Sequence, residues 1–86
     1  MDSSVKNVLS VRISSPDQII WEGEAYSVSS VNSQGPFDIL PYHINFITII
    51  ENQPIKIHTS SKWEEFLYAN AIIYNRNNKV LIYTNI

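Results

Sequence analysis

The feature that most constrains this chain is the repetition of short segments in which apolar and polar residues alternate. The pattern is clearest at residues 9–14 and 55–59, where every second residue is apolar. A period of two residues is typical of a β-strand with one buried and one solvated face. Short segments of this kind, separated by turn signals at regular spacing, predict an all-β domain.

The chain contains about nine or ten such segments, most of them separated by turn signals. The turn signals are Ser15-Pro16-Asp17-Gln18, Asn32-Ser33-Gln34-Gly35-Pro36, Pro41-Tyr42-His43, Asn52-Gln53-Pro54, Ser60-Ser61-Lys62 and Asn75-Arg76-Asn77-Asn78-Lys79. Proline, glycine and asparagine favour the backbone angles that turns require. The spacing predicts a flattened barrel or β-sandwich of about ten short strands in two sheets.

Two positions interrupt the alternation. Gly23 predicts a bulge or a close backbone approach within the second strand. The third strand loses its phase at Ser29-Ser30, which predicts an inserted bulge residue.

Composition agrees with this fold class. The chain has 14 Ile and 6 Val but only 8 residues of Ala, Leu and Met together. β-branched side chains are restricted on a helix and pack well on a pleated sheet. Cysteine is absent, which excludes a disulfide framework, a thiolate metal site and a cysteine nucleophile. A chain of 86 residues is long enough for one small domain only.

Charge and hydropathy exclude other classes of protein. Charged residues make up 16% of the chain and the net charge is −2, so the basic footprint of a nucleic-acid-binding protein is missing. The longest apolar or near-apolar run, residues 46–50, is far shorter than the roughly 20 residues that cross a bilayer, so no direct membrane insertion is expected. Residues 1–9 show no signal-peptide pattern.

Three predicted strands are apolar on both faces, which a two-sheet domain does not require. They contain residues 46–50, 72–74 and 80–83. A strand in a sandwich normally has one wet face. The outer side chains therefore predict a contiguous apolar patch that binds a partner. The alternative is that these strands are central, with scattered outer side chains or with sheet curvature covering both faces.

The sequence offers little for catalysis or metal binding. His43 lies five residues from Asp38, and serines are plentiful, but no G-x-S-x-G motif is present. Glu22 and Glu24 share one strand face and are expected to be solvated edge charges. His43 and His58 lie fifteen residues apart in different segments, which disfavours a metal site. We therefore predict no catalytic, cofactor-binding or metal-binding residue.

Several motifs follow one another without large gaps. They are Ser15-Pro16-Asp17, Trp21-Glu22-Gly23-Glu24, Ser27-Val28, Ser33-Gln34-Gly35-Pro36-Phe37-Asp38-Ile39-Leu40-Pro41-Tyr42-His43, Glu64-Glu65-Phe66-Leu67-Tyr68 and Asn78-Lys79-Val80. In this order and at this spacing they resemble the amino-terminal β-sandwich domain of the ε subunit of rotary F-type ATP synthases. The resemblance extends over residues 9–84, so we expect one domain of this type over residues 1–86, with its core at about 8–84.

The resemblance implies a non-catalytic role without a cofactor. Such a domain is a central-stalk (rotor) subunit that links the γ subunit to the membrane c-ring in proton-driven ATP synthesis, as a peripheral component at the cytoplasmic face of a bacterial-type membrane. By the same resemblance Ser15, His43 and Thr48 face the γ subunit. The residues that face the c-ring are Ser33, Gln34, Gly35 and Pro36. A free-standing β-sandwich enzyme or ligand-binding module and an adhesin-like structural module are the alternatives.

The chain also departs from the family pattern. Asp38 and Tyr42 stand where the family usually has glycine, Gln53 stands where a turn glycine is common, and Pro36 stands where many members have an acidic residue. These turns must either adopt negative φ or hold Asp and Asn in left-handed conformations. The family usually continues into a two-helix C-terminal domain. The sequence ends at Ile86, which indicates a short form, either natural or truncated.

Overall fold

A computed structural model describes residues 7–85, and within this range the chain forms nine strands and no helix. The strands are β1 (Leu9–Ser14), β2 (Ile19–Ala25), β3 (Ser27–Asn32), β4 (Gly35–Ile39), β5 (Phe46–Glu51), β6 (Pro54–His58), β7 (Trp63–Leu67), β8 (Asn70–Arg76) and β9 (Lys79–Thr84). The all-β prediction is confirmed, with nine strands where about ten were expected. The segment in which no signal-peptide pattern was found lies mostly outside the described residues.

The strands form two sheets. The first sheet has five strands in the order β2-β1-β9-β8-β5, and the second has four in the order β4-β3-β6-β7. Strands β1 and β9 are parallel, and the other neighbours are antiparallel. Neither sheet closes on itself, so of the two predicted architectures the domain is a β-sandwich and not a flattened barrel.

The core lies between the sheets and consists of the alternate residues that the sequence pattern marked. Its fully or almost fully buried members are Leu9, Val11, Ile13, Ala25, Val28, Ile39, Ile50, Ile55, Ile57, Ala71, Ile73, Val80 and Ile82. Aromatic side chains, among them Trp21, Phe46 and Phe66, pack around them. β-branched residues dominate this core because they pack well on a pleated surface.

Gly23 permits a close approach of Trp21. A Cβ atom at Gly23 would lie 3.0 Å from Cη2 of the Trp21 ring, which is too close for any side chain to fit without movement. The irregularity in the pairing of β1 with β2 lies at Ile13/Ser14 instead. Gly23 therefore forms no bulge, and the group that lies close to it is the Trp21 side chain and not another stretch of backbone.

The predicted bulge at Ser29-Ser30 is wrong. Strand β3 keeps an uninterrupted register with β4, with Ser29 opposite Asp38 and Ser30 opposite Phe37. Ser30 occupies a buried position, and its hydroxyl donates a hydrogen bond of 2.9 Å to the carbonyl of Pro54. The apparent loss of phase arises because a small polar residue with a backbone partner stands where an apolar one was expected.

The turns without glycine use left-handed conformations. Tyr42 has φ of 68°, Asn52 of 55°, Asn77 of 50° and Asn78 of 63°. Asparagine enters this region more readily than most residues, whereas a bulky residue such as tyrosine does so rarely. Of the positions that lack the family's glycine, Asp38 and Gln53 do not have positive φ, whereas Tyr42 is left-handed although it is neither Asp nor Asn.

Candidate functional site

The outer face of the first sheet carries a contiguous apolar surface. In one row Ile47 pairs with Tyr74, which pairs with Leu81; in the next, Ile49 pairs with Ile72, which pairs with Tyr83. We call these six residues the apolar face. Ile47 is 65% exposed, Ile49 62% and Tyr83 41%, and the other three are half-buried. The predicted patch is confirmed, because the side chains adjoin one another and are not scattered.

Charged residues border the apolar face at its two ends. Arg76 and Lys79 pair with each other across β8 and β9, one row beyond Tyr74 and Leu81. Glu51 stands at the opposite end of β5, paired with Asn70. All three charged side chains are exposed, and they form no ion pair with each other or with any other residue in the range 7–85. The face is therefore basic at one end and acidic at the other.

An open groove of about 700 Å³ runs beside β5, the edge strand of the first sheet. We call it the β5 groove; its lining includes Asn32, Ser33, Ile47, Thr48 and Gln53. Inside it, the Asn32 side-chain amide Nδ2 donates a hydrogen bond of 3.0 Å to Thr48 Oγ1. This bond links the two sheets at a point where no backbone pairing joins them.

The structure does not gather the three residues predicted to face the γ subunit into one cluster. Ser15 follows β1 at the Glu51 end of the first sheet, and its amide donates to the carbonyl of Gln18 at 2.9 Å. Thr48 lies on the inner side of β5, in the same row as core residue Ile73. Its hydroxyl is engaged with Asn32 and is directed between the sheets. Thr48 therefore reaches the outer face only through its neighbours Ile47 and Ile49.

His43 lies at the other end of the sheet, in the segment that leads into β5. Its amide donates to the carbonyl of Leu40 at 3.0 Å, and Nδ1 lies 2.8 Å from the carbonyl oxygen of Ile44. The ring packs 5.1 Å from that of Phe46. His43 precedes the first residue of β5, whereas Ser15 lies level with the last residues of that strand. The two residues therefore lie at the two ends of the apolar face.

The four residues predicted to face the c-ring do lie together, at the tip of the β3–β4 hairpin. Ser33 and Gln34 form the two-residue turn closed by the Asn32–Gly35 pair, and the Gln34 amide donates to Asn32 Oδ1 at 2.8 Å. Gly35 has φ of 119°, a conformation that other residues rarely adopt, and exposed Pro36 follows it. We call this segment the hairpin tip. Ser33 also lines the β5 groove, so the hairpin tip and β5 adjoin each other.

The other candidate residues have structural partners. Asp38 accepts a hydrogen bond of 2.6 Å from the Ser29 hydroxyl, whereas His43 contacts other groups, so a Ser-His-Asp triad is not assembled in the described part of the chain. Glu22 accepts a bond of 2.9 Å from Arg12. Among residues 7–85 no three metal-ligating side chains lie together. The same range holds no helix long and apolar enough to cross a membrane.

Asn75 is a buried residue that the sequence analysis assigned to a turn. It lies in β8 and is fully buried, and its Nδ2 donates a hydrogen bond of 2.9 Å to the carbonyl of Ile44. The turn is limited to Asn77 and Asn78, and the latter accepts a bond of 2.6 Å from the Tyr42 amide through Oδ1. These amides fix the segment before β5 and so determine where β5 begins.

Two open sheets and an exposed apolar face define a small β-sandwich domain. Comparison with known proteins identifies its family. The chain matches the family described as the ATP synthase Delta/Epsilon chain beta-sandwich domain over residues 8–86, and it belongs to that family. The resemblance deduced from the sequence motifs is confirmed.

Curated relatives agree with this assignment, and solved structures share the fold. The chain is 23% identical to the chloroplastic ATP synthase epsilon chain of Pinus koraiensis and 29% identical to the ATP synthase epsilon chain of Gloeothece citriformis, in each case over 77 residues, 90% of this chain and 56% of the relative. It therefore spans little more than half the length of these relatives. A chain of the Euglena gracilis mitochondrial ATP synthase has the same fold, with a TM-score of 0.83 at 13% identity, over 98% of this chain and 54% of that one. A chain of the central stalk and c-ring structure from Tetrahymena thermophila matches with a TM-score of 0.73, also at 13% identity, over 88% of this chain and 62% of that one.

Proposed function

We propose that this chain is a non-catalytic central-stalk subunit of a rotary F-type ATP synthase, which links the γ subunit to the c-ring in proton-driven ATP synthesis. Family membership and the names of the relatives support this assignment. The observation that carries it is the apolar face, whose most exposed members, Ile47 and Ile49, are more than 60% accessible. A subunit of an assembly needs such a surface, whereas a free-standing enzyme of this size does not.

The apolar face is the surface that contacts the γ subunit in this proposal. Ser15 and His43 stand at its two ends, so a partner covering the whole face would reach both. Thr48 lies on the inner side of β5 and acts on this contact indirectly, because its hydrogen bond to Asn32 holds in place the strand that carries Ile47 and Ile49. Burial of Ile, Leu and Tyr side chains would supply the binding free energy, at about 25 cal/mol per Å² of apolar surface.

The hairpin tip is the surface that contacts the c-ring. Its side chains are uncharged, so contact would depend on backbone groups and on Gln34. Exposed ion pairs are worth only about 0–1 kcal/mol and are screened by salt, and none is available at this tip. The domain, extending over residues 1–86, would act as a peripheral component at the cytoplasmic face of a bacterial-type membrane.

A matched pair of variants tests the contact with the γ subunit. Tyr83→Lys places a charge within the apolar face, whereas Leu67→Lys places one at an exposed position, 67% accessible, on the second sheet. Binding to purified γ subunit would be measured by interferometry. We expect Tyr83→Lys to weaken binding by about tenfold or more, equivalent to about 1.4 kcal/mol, and Leu67→Lys to leave it unchanged. Absence of binding by the unmodified chain, or equal effects of both variants, would refute the proposal.

Ionic strength tests the contact with the c-ring. The chain would be bound to membranes depleted of their own ε subunit at about 50 mM and about 200 mM salt, a range over which the Debye length shortens substantially. We expect the affinity to change by less than about threefold, since the hairpin tip offers no charge. A steep loss of binding with salt would show that charged groups elsewhere make the contact.

A further inference from the structure

Strand β5 differs from the other sheet edges of the described chain. Edge strands expose unpaired backbone groups, and natural proteins protect them with charges, proline or bulges. The other three edges are protected in this way: β2 carries Glu22 and Glu24, β4 carries Pro36 and Asp38, and β7 carries Glu64 and Glu65. Strand β5 has only Glu51, at its last position. Its five preceding residues, Phe46-Ile47-Thr48-Ile49-Ile50, have high β propensity and neither charge nor proline.

We propose that the free subunit forms a symmetric dimer in which β5 of one copy pairs antiparallel with β5 of a second copy, so that two first sheets join into one. The backbone of β5 pairs with β8 on one side only, and the β5 groove lies on the other. The open space of about 700 Å³ is bordered by Ile47, Thr48 and Ile49 of β5 and by Val31, Asn32 and Ser33 of the β3–β4 hairpin, and an added strand would occupy part of it. A two-fold axis makes one unprotected edge sufficient, because the same groups serve both copies.

One register satisfies the side-chain pattern. Directly opposed residues in an antiparallel pair lie on the same face of the sheet, so outward residues must oppose outward residues. Pairing Thr48 with Thr48 of the second copy places Ile47 opposite Ile49 and Ile49 opposite Ile47 on the outer face. A shift of two residues in either direction would place an isoleucine opposite Asn45 or Glu51. Of these registers, only the one centred on Thr48 places both outward isoleucines opposite an isoleucine of the second copy.

Charge at the borders of the apolar face favours the same arrangement. In this register Glu51 of one copy lies opposite Asn45 of the other. Arg76 follows Asn75, the partner of Phe46 on the next strand, so continuing the ladder by one residue would bring it to about two strand spacings from Glu51, or roughly 10 Å, which the two long side chains can bridge. The antiparallel arrangement thus brings the acidic end of each face towards the basic end of its partner. Glu51 and Arg76 have no ion-pair partner within residues 7–85, so both are available.

The size of the contact sets the expected affinity. Pairing of two six-residue edges buries less than the roughly 1,200 Å² of a stable interface, so we expect a weak dimer with a dissociation constant between about 10 μM and 1 mM. The dimer is a property of the free subunit and does not depend on the proposed function. Binding of γ is tested with Tyr83, on β9, and dimerisation with residues of β5, so either proposal can fail without the other.

Cysteine cross-linking tests the register, since the natural chain has no cysteine. Ile47→Cys and Ile49→Cys chains carrying tags of different size would be mixed at 0.5 mM, a concentration of about the expected dissociation constant, and oxidised. Opposed residues have Cα atoms about 4.5–5.5 Å apart, within disulfide range. Two copies of Ile49→Cys alone would be offset diagonally by about 7–8 Å, beyond it. We expect the mixed pair to cross-link at least about tenfold faster than either chain alone. Equal rates would overturn the proposed register.

Sedimentation equilibrium tests the dimer itself. The unmodified 86-residue chain should show concentration-dependent dimerisation, and Ile49→Lys should weaken it by about tenfold or more, because the lysine would oppose Ile47. Leu67→Lys, equally exposed on the second sheet, is the control and should dimerise like the unmodified chain. Circular dichroism would verify that each variant is folded. A chain that is monomeric at 1 mM, or one in which Tyr83→Lys abolishes dimerisation while Ile49→Lys does not, would overturn the proposal.

Discussion

Replacing Tyr42 by glycine should stabilise this protein, although the change removes a large side chain. Tyr42 has φ of 68°, in the left-handed region that β-carbons disfavour. Its side chain is 67% exposed, and its hydroxyl has no hydrogen-bond partner within residues 7–85. The backbone amide of residue 42 donates to Asn78 Oδ1 at 2.6 Å, a bond that glycine retains. The tyrosine side chain therefore adds strain without much compensating contact.

Two opposing effects determine the magnitude. Left-handed φ costs a non-glycine residue about 1–2 kcal/mol. Glycine also lowers the free energy of unfolding by about 0.4–1 kcal/mol, because it makes the unfolded chain more flexible. The difference is a net stabilisation of about 0.8 kcal/mol, and for a domain of this size that corresponds to a rise in Tm of about 3–6 °C.

Urea denaturation followed by tryptophan fluorescence measures this difference, and Tyr42→Ala is the control. Alanine also removes the ring but keeps the β-carbon, so it should leave the free energy of unfolding within about 0.5 kcal/mol of the unmodified protein. Backbone strain predicts that glycine stabilises and alanine does not. If both variants are destabilised equally, the ring makes a contribution that outweighs the strain, and the reasoning is refuted.

Three further predictions concern stability. Gly35→Ala should lower the free energy of unfolding by about 1–3 kcal/mol in urea denaturation, although no atom lies within 4 Å of the added β-carbon, because φ there is 119°. Thr48→Val should lose about 1 kcal/mol by removing the acceptor of the Asn32 amide, and a double-mutant cycle with Asn32→Ala should show coupling. Burial raises the pKa of Tyr68 above its usual value of 10.0, so the unfolded chain ionises first as pH rises. The free energy of unfolding should therefore fall as the pH rises above 10. In urea denaturation across that pH range, the Tyr68→Phe variant should lose less stability than the unmodified protein.

Local sequence predicted the strands because burial in a sandwich follows the two-residue period. The same logic located the apolar face: residues 46–50, 72–74 and 80–83 are apolar on both sides, and these strands are neighbours in the first sheet. The pattern failed at Ser30, where a buried hydroxyl is satisfied by the carbonyl of Pro54, 24 residues away. The alternation of apolar and polar residues along one strand cannot reveal a hydrogen-bond partner that lies so far away in the sequence.

The β5 groove could not have been predicted in this way. It exists because Asn32, in the second sheet, lies beside Thr48, in the first, and no local pattern links them. The family resemblance assigned Thr48 and Ser33 to different partners, yet both line this groove. Asn75 was missed for a related reason, since asparagine is typical of turns and its burial depends on the carbonyl of Ile44.

Strand β5 carries three surfaces at once, and this limits how its substitutions can be interpreted. Ile50 faces the core, Ile47 and Ile49 belong to the apolar face, and the unpaired backbone edge borders the groove. A charge at Ile49 could therefore weaken γ binding, dimerisation, or both. A substitution at Tyr83 distinguishes the two effects. Tyr83 lies on β9, two strands from the β5 edge, and belongs to the apolar face only. A γ subunit that covers the apolar face and also extends past Ile47 and Ile49 over the unpaired edge of β5 would occupy the position of the second copy, so added γ should then dissociate the dimer, and sedimentation of the two proteins together would reveal that competition.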